Sequence, residues 1–342
     1  MDLERELGVR LRKGAEGPVR SHFTFSPRGE DELVSILRKC GELGVSVCPI
    51  CGNCHQVGPL VKVELALDLS GFNRIKEVSK EDLYLVAGPG LTVEEAKSRL
   101  SKEGLFFPFD YSGSLGGLTA TNSPDWFTYP KEFLLGGRIV TGDGVMVKSG
   151  GKTPKFSSGY KTWKVVAGSL GWLGVFTEVI YKLLPRPEAF LRAQLGVDQL
   201  TQVYQYSPLS VLAVRTDREY LVATFGGPSK TISRIPFQEA DPLPEIQGDR
   251  VAIVSPLGLE LEYARLASKF LRANASISLV GKGYSRLYVE DLRGVEELRK
   301  IGVKVIVESG DFPGDYWGFR SRSLELLKRS LDPKGILCPG RI

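Results

Sequence analysis

The chain has 342 residues, 42% hydrophobic and 25% charged, with a formal net charge of +5. That length makes two domains the default and the balance is that of an ordinary globular protein. The basic residues are dispersed, which argues against nucleic acid as a partner. No apolar run reaches membrane-spanning length, so no integral membrane segment is expected. A charged N-terminus without an apolar leader and an odd count of five cysteines point to a reducing, cytoplasmic setting without a disulfide framework.

The first amphipathic pattern is "SPRGEDELVSILRKCGELG". Ser26 before Pro27 predicts a helix start. Leu33, Ile36, Leu37 and Cys40 share one face at helical spacing, and Gly44 closes the last turn. The short strand "VSVCPI" then runs straight into "CPICGNCHQVG", which gathers Cys48, Cys51, Cys54 and His55. The spacing C-x-x-C-x-x-C is that of an iron–sulfur run, for which Cys338-Pro339 offers a distant fourth thiolate. Zinc prefers paired C-x-x-C units or added histidines. The plain alternative is a loop of small side chains, and no metal is assigned.

"VELALDLS" alternates apolar and polar residues, as a half-buried strand does. "DLYLVAGPGLTVEEAKSRLSKEGL" reads as strand, tight turn and helix, with Thr92 and Glu95 spaced as a capping box. Its "GPGLTV" has Val93 where the dinucleotide fingerprint needs a third glycine. "YSGSLGGLTATNS" reads as a loop. "GGRIVTGDGVMVKSGG" is a hairpin turning at Gly142-Asp143-Gly144. "WKVVAGSLGWLGVFTEVIYKLLPRPE" is a glycine-rich turn and a long apolar strand, ended by Pro185 and Pro187. From 188 to 310 short strands alternate with helices such as "GLELEYARLASKFLRAN", a compact α+β unit. "FRSRSLELLKRSLDPKGILCPGRI" closes the chain with a helix and a Pro/Gly-ordered tail.

Three Gly-rich loops each follow a strand: "ICGNCHQVG", "SGSLGGLTATN" and "GSLGWLGV". Backbone N–H groups approach an anion closely where no Cβ intervenes. Convergence of these loops points to a large phosphorylated cofactor, with structural turns as the alternative.

At these loops the sequence resembles the FAD-linked oxidases of the vanillyl-alcohol oxidase / PCMH type, over most of 25–187 and again over 319–342. "PICGNCHQVG" occupies the place of that family's pyrophosphate loop. "LDLSGFNRI", "GPGLTVEEA", "GSLGGLTATN", "GSLGWLGVFTEV" and "DPKGILCPGR" follow in the family's order. The subtype it resembles most is the small FAD-binding subunit of glycolate oxidase, through "GGKTPKFSSGYKTWKVVAGSLGWLGVFTEVIYKLLPRP".

The resemblance implies an α+β fold: a two-subdomain PCMH-type FAD-binding domain over 1–187, an inserted α+β cap over 188–310, and a C-terminal segment, 311–342, returning to the first domain. It implies that the FAD pyrophosphate meets the backbone of Cys51, Gly52, Asn53, Cys54, His55 and Gln56. Pro89, Gly90, Ser114, Leu115, Gly116, Gly117, Thr121 and Asn122 would line the cofactor, and Gly174 and Val175 its adenine end. Cys51 stands at the family's Arg and Cys54 at a Gly. His55 stands where some relatives bond the flavin covalently. The implied reaction moves a hydride from a small 2-hydroxy acid or alcohol to flavin N5. The implied partners are a larger flavin subunit and an iron–sulfur subunit in a hetero-oligomer.

Three departures stand out. Cys338 replaces the Asn before Pro-Gly, and "FSSGYK" replaces "NVAGYD". Residues 188–310 contain no histidine, so the metal-assisted cap site of the larger hydroxy-acid dehydrogenases is not expected. Tyr160, Lys161, Tyr284, Arg286 and Arg320 are the substrate-contact candidates, each with surface charge or core packing as the alternative. Three readings stay open: a subunit of a glycolate/D-lactate dehydrogenase-like complex, a free-standing enzyme with FAD on His55, and a scaffold without flavin.

Overall fold

The computed structural model describes residues 3–125, 127–153, 160–319 and 321–342. Most of the "FSSGYK" departure and the candidate Arg320 lie outside the described residues.

The first layer is built from β1 (Val19–Phe25), α1 (Glu30–Leu43), β2 (Val47–Ile50) and β3 (Val61–Asp68). The three strands are parallel, with β3 between β1 and β2. Parallel strands of one sheet need crossover connections, and α1 supplies the one from β1 to β2. Its stripe of Leu33, Ile36, Leu37 and Cys40 is at most 1% exposed. The helix begins at Glu30 rather than at Ser26-Pro27, with Gly29 as its N-cap. The Ser26 hydroxyl donates instead to Asp68 at 3.1 Å and is not available as a cap. Glu30, Asp31 and Glu32 in the first turn favour the positive helix end. Gly44, at φ 70°, returns its N–H to the Cys40 carbonyl and ends the helix.

The second layer holds β4 (Ile75–Ser79), β5 (Tyr84–Ala87), α2 (Val93–Lys102), α3 (Leu115–Thr121), β6 (Leu134–Val140), β7 (Met146–Gly150) and β8 (Val175–Lys182). Its strands form an antiparallel sheet in the order β4-β5-β8-β6-β7. The Thr92/Glu95 capping box is formed, and β6 and β7 make the hairpin. Phe107, Phe109 and Tyr181 fill the core edge-on, with Phe107 5.0 Å from Phe109 and 5.3 Å from Tyr181 between centroids.

α3 departs from the sequence reading, which made this tract a loop. Gly, Thr and Ser are weak helix formers. Tertiary contacts override that weakness: Leu115 and Leu118 are buried, and Thr119 Oγ1 meets the Tyr181 hydroxyl at 2.8 Å. Ser114 caps the start by accepting from Gly117 N, and Asn122, left-handed at φ 45°, closes the end. A second short helix, Thr162–Val166, sits where a turn was expected.

Two compact units result. One comprises Met1–Asp125, Tyr129–Pro185 and Arg320–Ile342; the other comprises Trp126–Thr128 and Arg186–Phe319. The second unit is built on one antiparallel sheet. Its strands are β9 (Ala189–Leu195), β10 (Ser210–Arg215), β11 (Glu219–Gly227), β12 (Asp249–Val254), β13 (Ala275–Leu279), β14 (Tyr284–Val289) and β15 (Lys304–Val307). Their order is β9-β11-β10-β13-β14-β12-β15. α4 (Glu260–Leu271) and α5 (Val295–Lys300) share a core with β12, β14 and β15 through Ala264, Ala267, Leu271, Val295 and Leu298.

The tail returns to the first unit through α6 (Arg322–Leu331). Val47 N donates to Ile336 O at 2.8 Å, and Cys338 N donates to Val47 O at 2.7 Å, so the tail runs beside β2. Asp332, 2% exposed, accepts the N–H groups of Ile336 and Leu337 at 3.1 and 2.8 Å and pairs with Lys328 at 2.6 Å. Cys48 and Cys338 form a disulfide across 290 residues. The sequence reading, which argued against a disulfide framework, did not anticipate this bond: a pair so far apart leaves no local spacing to read. Among the described residues, no helix is long and apolar enough to cross a membrane.

Candidate functional site

A cleft in the first unit lies where β2 ends. Its walls are the loop after β2, the turn at Pro89, the stretch from Tyr111 into α3, the turn at Leu170 and Gly171, and the tail at Arg341. The cleft encloses about 830 Å³, counting its open mouth.

Backbone conformation shapes the loop. Gly52 and Asn53 are consecutive left-handed residues, at φ 76° and 53°. In such turns successive N–H groups can converge on an anion. The Asn53 side chain is already engaged: its amide donates to Val19 O at 2.7 Å and Glu16 O at 3.0 Å, and its oxygen accepts from Val19 N at 3.0 Å. It clamps the loop to the start of β1, leaving the backbone for a ligand. Opposite, Gly116 N donates to Pro89 O at 2.7 Å and Leu115 N to Leu91 O at 2.8 Å. A Cβ on Gly116 would stand 2.9 Å from the Pro89 ring and carbonyl, so only glycine permits this approach.

His55 lies in the wall beside Tyr111, with ring centroids 5.3 Å apart. Its Nε2 is 2.5 Å from the Ser112 carbonyl and 3.1 Å from the Ser112 hydroxyl. A carbonyl only accepts, so Nε2 carries the proton and Nδ1 the lone pair in the neutral ring.

The three loop cysteines part company. Cys48 is in the disulfide and 1% exposed. Burial pushes the Cys51 thiol up to about 12, against the hydrogen bond with Ser114 that draws it down. Such a thiol stays protonated near neutral pH and is a poor metal ligand. Cys54 is exposed. Among the described residues no three His, Cys, Asp or Glu side chains are grouped to hold a metal ion.

Of the residues singled out from the sequence, the cleft brings together Cys51, Asn53, Cys54, His55, Pro89, Ser114, Gly116, Gly117 and Thr121. The others named there do not line its wall. Leu115 and Val175 are buried in the core, at 0% and 1% exposure. Gln56 donates to Gly58 O, Gly90 N to Phe72 O, and Asn122 accepts from Lys131 N. Gly174 packs toward Ile139 and Val166, and Gly52 acts through its turn. Tyr160 is 92% exposed and, like Lys161, is not part of the wall. Tyr284 and Arg286 belong to the second unit and converge on buried Glu308: the Tyr284 hydroxyl donates at 2.6 Å and Arg286 Nε at 2.7 Å. Burial alone would raise the Glu308 pKa, but Arg286 and Tyr284 hold it below the usual range.

Sequence reasoning missed Arg341, Tyr111 and Phe176, which line the cleft. Arg341 is 5% exposed and donates to Pro59 O at 3.0 Å. Burial draws its pKa down to about 10. No local pattern marks a single arginine in the tail "CPGR". The donor set fits a phosphorylated aromatic ligand: a left-handed backbone turn, a buried guanidinium, and flat apolar surfaces from Pro18, Pro49, Pro89, Tyr111 and Phe176.

Comparison with known proteins agrees. The profile of the FAD-binding domain family matches residues 22–150. Glycolate oxidase subunit GlcD of Bacillus subtilis (strain 168) is 32% identical over 179 residues, covering 48% of this chain and 37% of that one. The mitochondrial D-lactate dehydrogenase [cytochrome] of Arabidopsis thaliana is 30% identical over 172 residues, 47% of this chain and 30% of that one. The alignments thus span about a third of each relative. Alkyldihydroxyacetonephosphate synthase shares the fold, with a TM-score of 0.62 at 15% identity over 94% of this chain and 76% of that one.

Proposed function

From the premise that this chain carries a PCMH-type FAD-binding domain with FAD as its cofactor, we propose that it is an FAD-dependent oxidoreductase acting on the CH–OH group of a small 2-hydroxy acid or alcohol. The observation that carries the reading is one of position. The cleft's central walls, Cys48 to His55, Pro89, and Tyr111 to Thr121, all fall inside the span that matches the FAD-binding family. The substrate class is carried over from the names of the relatives, a glycolate oxidase subunit and a D-lactate dehydrogenase.

In this reading the backbone around Gly52 and Asn53 receives the dinucleotide's pyrophosphate, and α3 with Ser114, Gly116, Gly117 and Thr121 lines its length. Bound FAD supplies the hydride acceptor. Pro49, Tyr111 and Phe176 exclude water from its flat rings. The chain works as one subunit of a hetero-oligomer with a larger flavin subunit and an iron–sulfur subunit.

The test is dye reduction with glycolate, D-lactate and other 2-hydroxy acids, by the isolated chain and by the chain purified with its native partners. Turnover only in the complex supports the subunit reading. Flavin present without turnover in either form sinks the oxidoreductase reading.

A second reading, FAD bonded covalently to His55, is favoured by the tautomer. Ser112 O holds Nε2–H, which leaves Nδ1 as the nucleophilic atom. Acid precipitation separates the two: covalent flavin stays with the protein, and free flavin stays in solution.

A further inference from the structure

We propose that the C-terminal tail, pinned by the Cys48–Cys338 disulfide, delivers Arg341 to the cleft as the guanidinium that binds the dinucleotide's pyrophosphate. The inference rests on the reading that the cleft holds FAD, and it adds a residue which neither the sequence reading nor the comparisons assign.

Four observations carry it. First, charge is scarce in the loops of the cleft. Residues 48–58, 111–123 and 168–176 contain no Lys or Arg. Two phosphates brought there are met by backbone N–H groups and by whatever cation another segment supplies. Second, Arg341 is that cation. It lines the same cleft as Asn53, Cys54 and His55, and is 5% exposed. Its Nη1 is fixed on Pro59 O at 3.0 Å, which orients the planar fork. Third, a guanidinium is a planar donor fork whose charge-assisted hydrogen bonds suit a phosphate.

Fourth, the tail is held in place. Arg341 N donates to Cys338 O at 3.2 Å, so the guanidinium sits one turn from the disulfide. Cys338 N bonds Val47 O at 2.7 Å, and Lys328 Nζ donates to Leu337 O at 2.7 Å. The disulfide joins this turn to β2, the strand that opens into the cleft loop. Arg341 and the loop backbone are thus fixed to one another before a ligand arrives, and preorganisation of this kind raises affinity.

The experiment compares three ligands on the flavin-stripped full-length chain: FAD, ADP (the pyrophosphate without flavin) and riboflavin (the flavin without phosphate). Binding is read by calorimetry and flavin fluorescence. Arg341→Gln is expected to weaken FAD and ADP by about 10- to 100-fold, the range of one charged hydrogen bond, and to leave riboflavin unchanged. Arg341→Lys is expected to restore part of the loss; if the Gln variant does not fold, the Lys variant reads the same difference between FAD and riboflavin. Cys338→Ser, or reduction of the disulfide verified by peptide mapping, is expected to weaken FAD and ADP in the same pattern.

Equal losses for FAD and riboflavin would show that Arg341 only supports the fold, and would overturn the inference. So would full FAD affinity in Arg341→Gln, and full affinity after reduction would overturn the role of the disulfide. If the unmodified chain binds neither FAD nor ADP, the reading of the cleft fails as well, and the two failures are told apart.

Discussion

Arg286 and Arg341 are both guanidinium groups withdrawn from water, one in each unit, and their surroundings treat them differently. Arg286 lies on the sheet of the second unit against Glu308, with Nε at 2.7 Å and Nη2 at 3.3 Å, and over the Tyr284 ring at 5.6 Å. Burial works against its charge, but the Glu308 carboxylate outweighs burial and lifts its pKa well above the ordinary value. Arg341 lines a cleft, and burial draws its pKa down to about 10. A buried charge matched by a buried counter-charge is architecture. Arg341 instead lines the cleft that holds the left-handed turn at Asn53, where a phosphate is proposed to bind.

The largest effect that sharpens this contrast comes from Glu308→Ala. Removing one partner of a buried pair leaves the other charged and uncompensated, a loss of about 3–5 kcal/mol. The second unit is expected to unfold early by hydrogen exchange, while the first keeps its protection and FAD affinity is unchanged. Equal losses in both units would break the comparison. The same pair predicts an acid-side step. The Glu308 pKa is lowered in the folded state, so its stabilisation is complete above the unfolded carboxyl range and is lost as pH falls through the folded value. Glu308→Gln is expected to abolish that step in a pH series of thermal melts.

Next in size is the disulfide. It closes a loop spanning 290 residues, and reduction is expected to cost about 2–5 kcal/mol. Melting with and without reductant checks it, with the loss confined to the first unit. Gly116→Ala follows. Its Cβ would meet Pro89 at 2.9 Å, and overpacking of this kind costs about 1–3 kcal/mol. FAD affinity should fall too, because the Pro89 turn and α3 must separate. The smallest effect is Tyr181→Phe. It removes the 2.8 Å bond to Thr119 beneath α3 and is expected to cost about 1 kcal/mol in chemical denaturation.

What could be read in advance was local. The stripe of α1, the Thr92/Glu95 box, the hairpin of β6 and β7 and the strands of the second unit each follow from spacing within a dozen residues. The start of α1 was misplaced because Ser26 bonds Asp68, a partner 42 residues away. α3 was illegible because burial of Leu115 and Leu118, not propensity, makes it a helix. The disulfide left no trace in spacing. Asn53 lines the cleft, but its side chain secures Val19, a partner 34 residues away that its own loop could not announce. Arg341 went unmarked because a single arginine in a tail carries no pattern until the tail is placed beside β2.

The most direct test of the central claim is a titration of FAD into the flavin-stripped full-length chain, followed by flavin fluorescence. The cleft predicts saturable binding at one FAD per chain, abolished by Gly116→Leu and retained by Glu308→Gln. Failure to saturate, or saturation indifferent to Gly116→Leu, would contradict it.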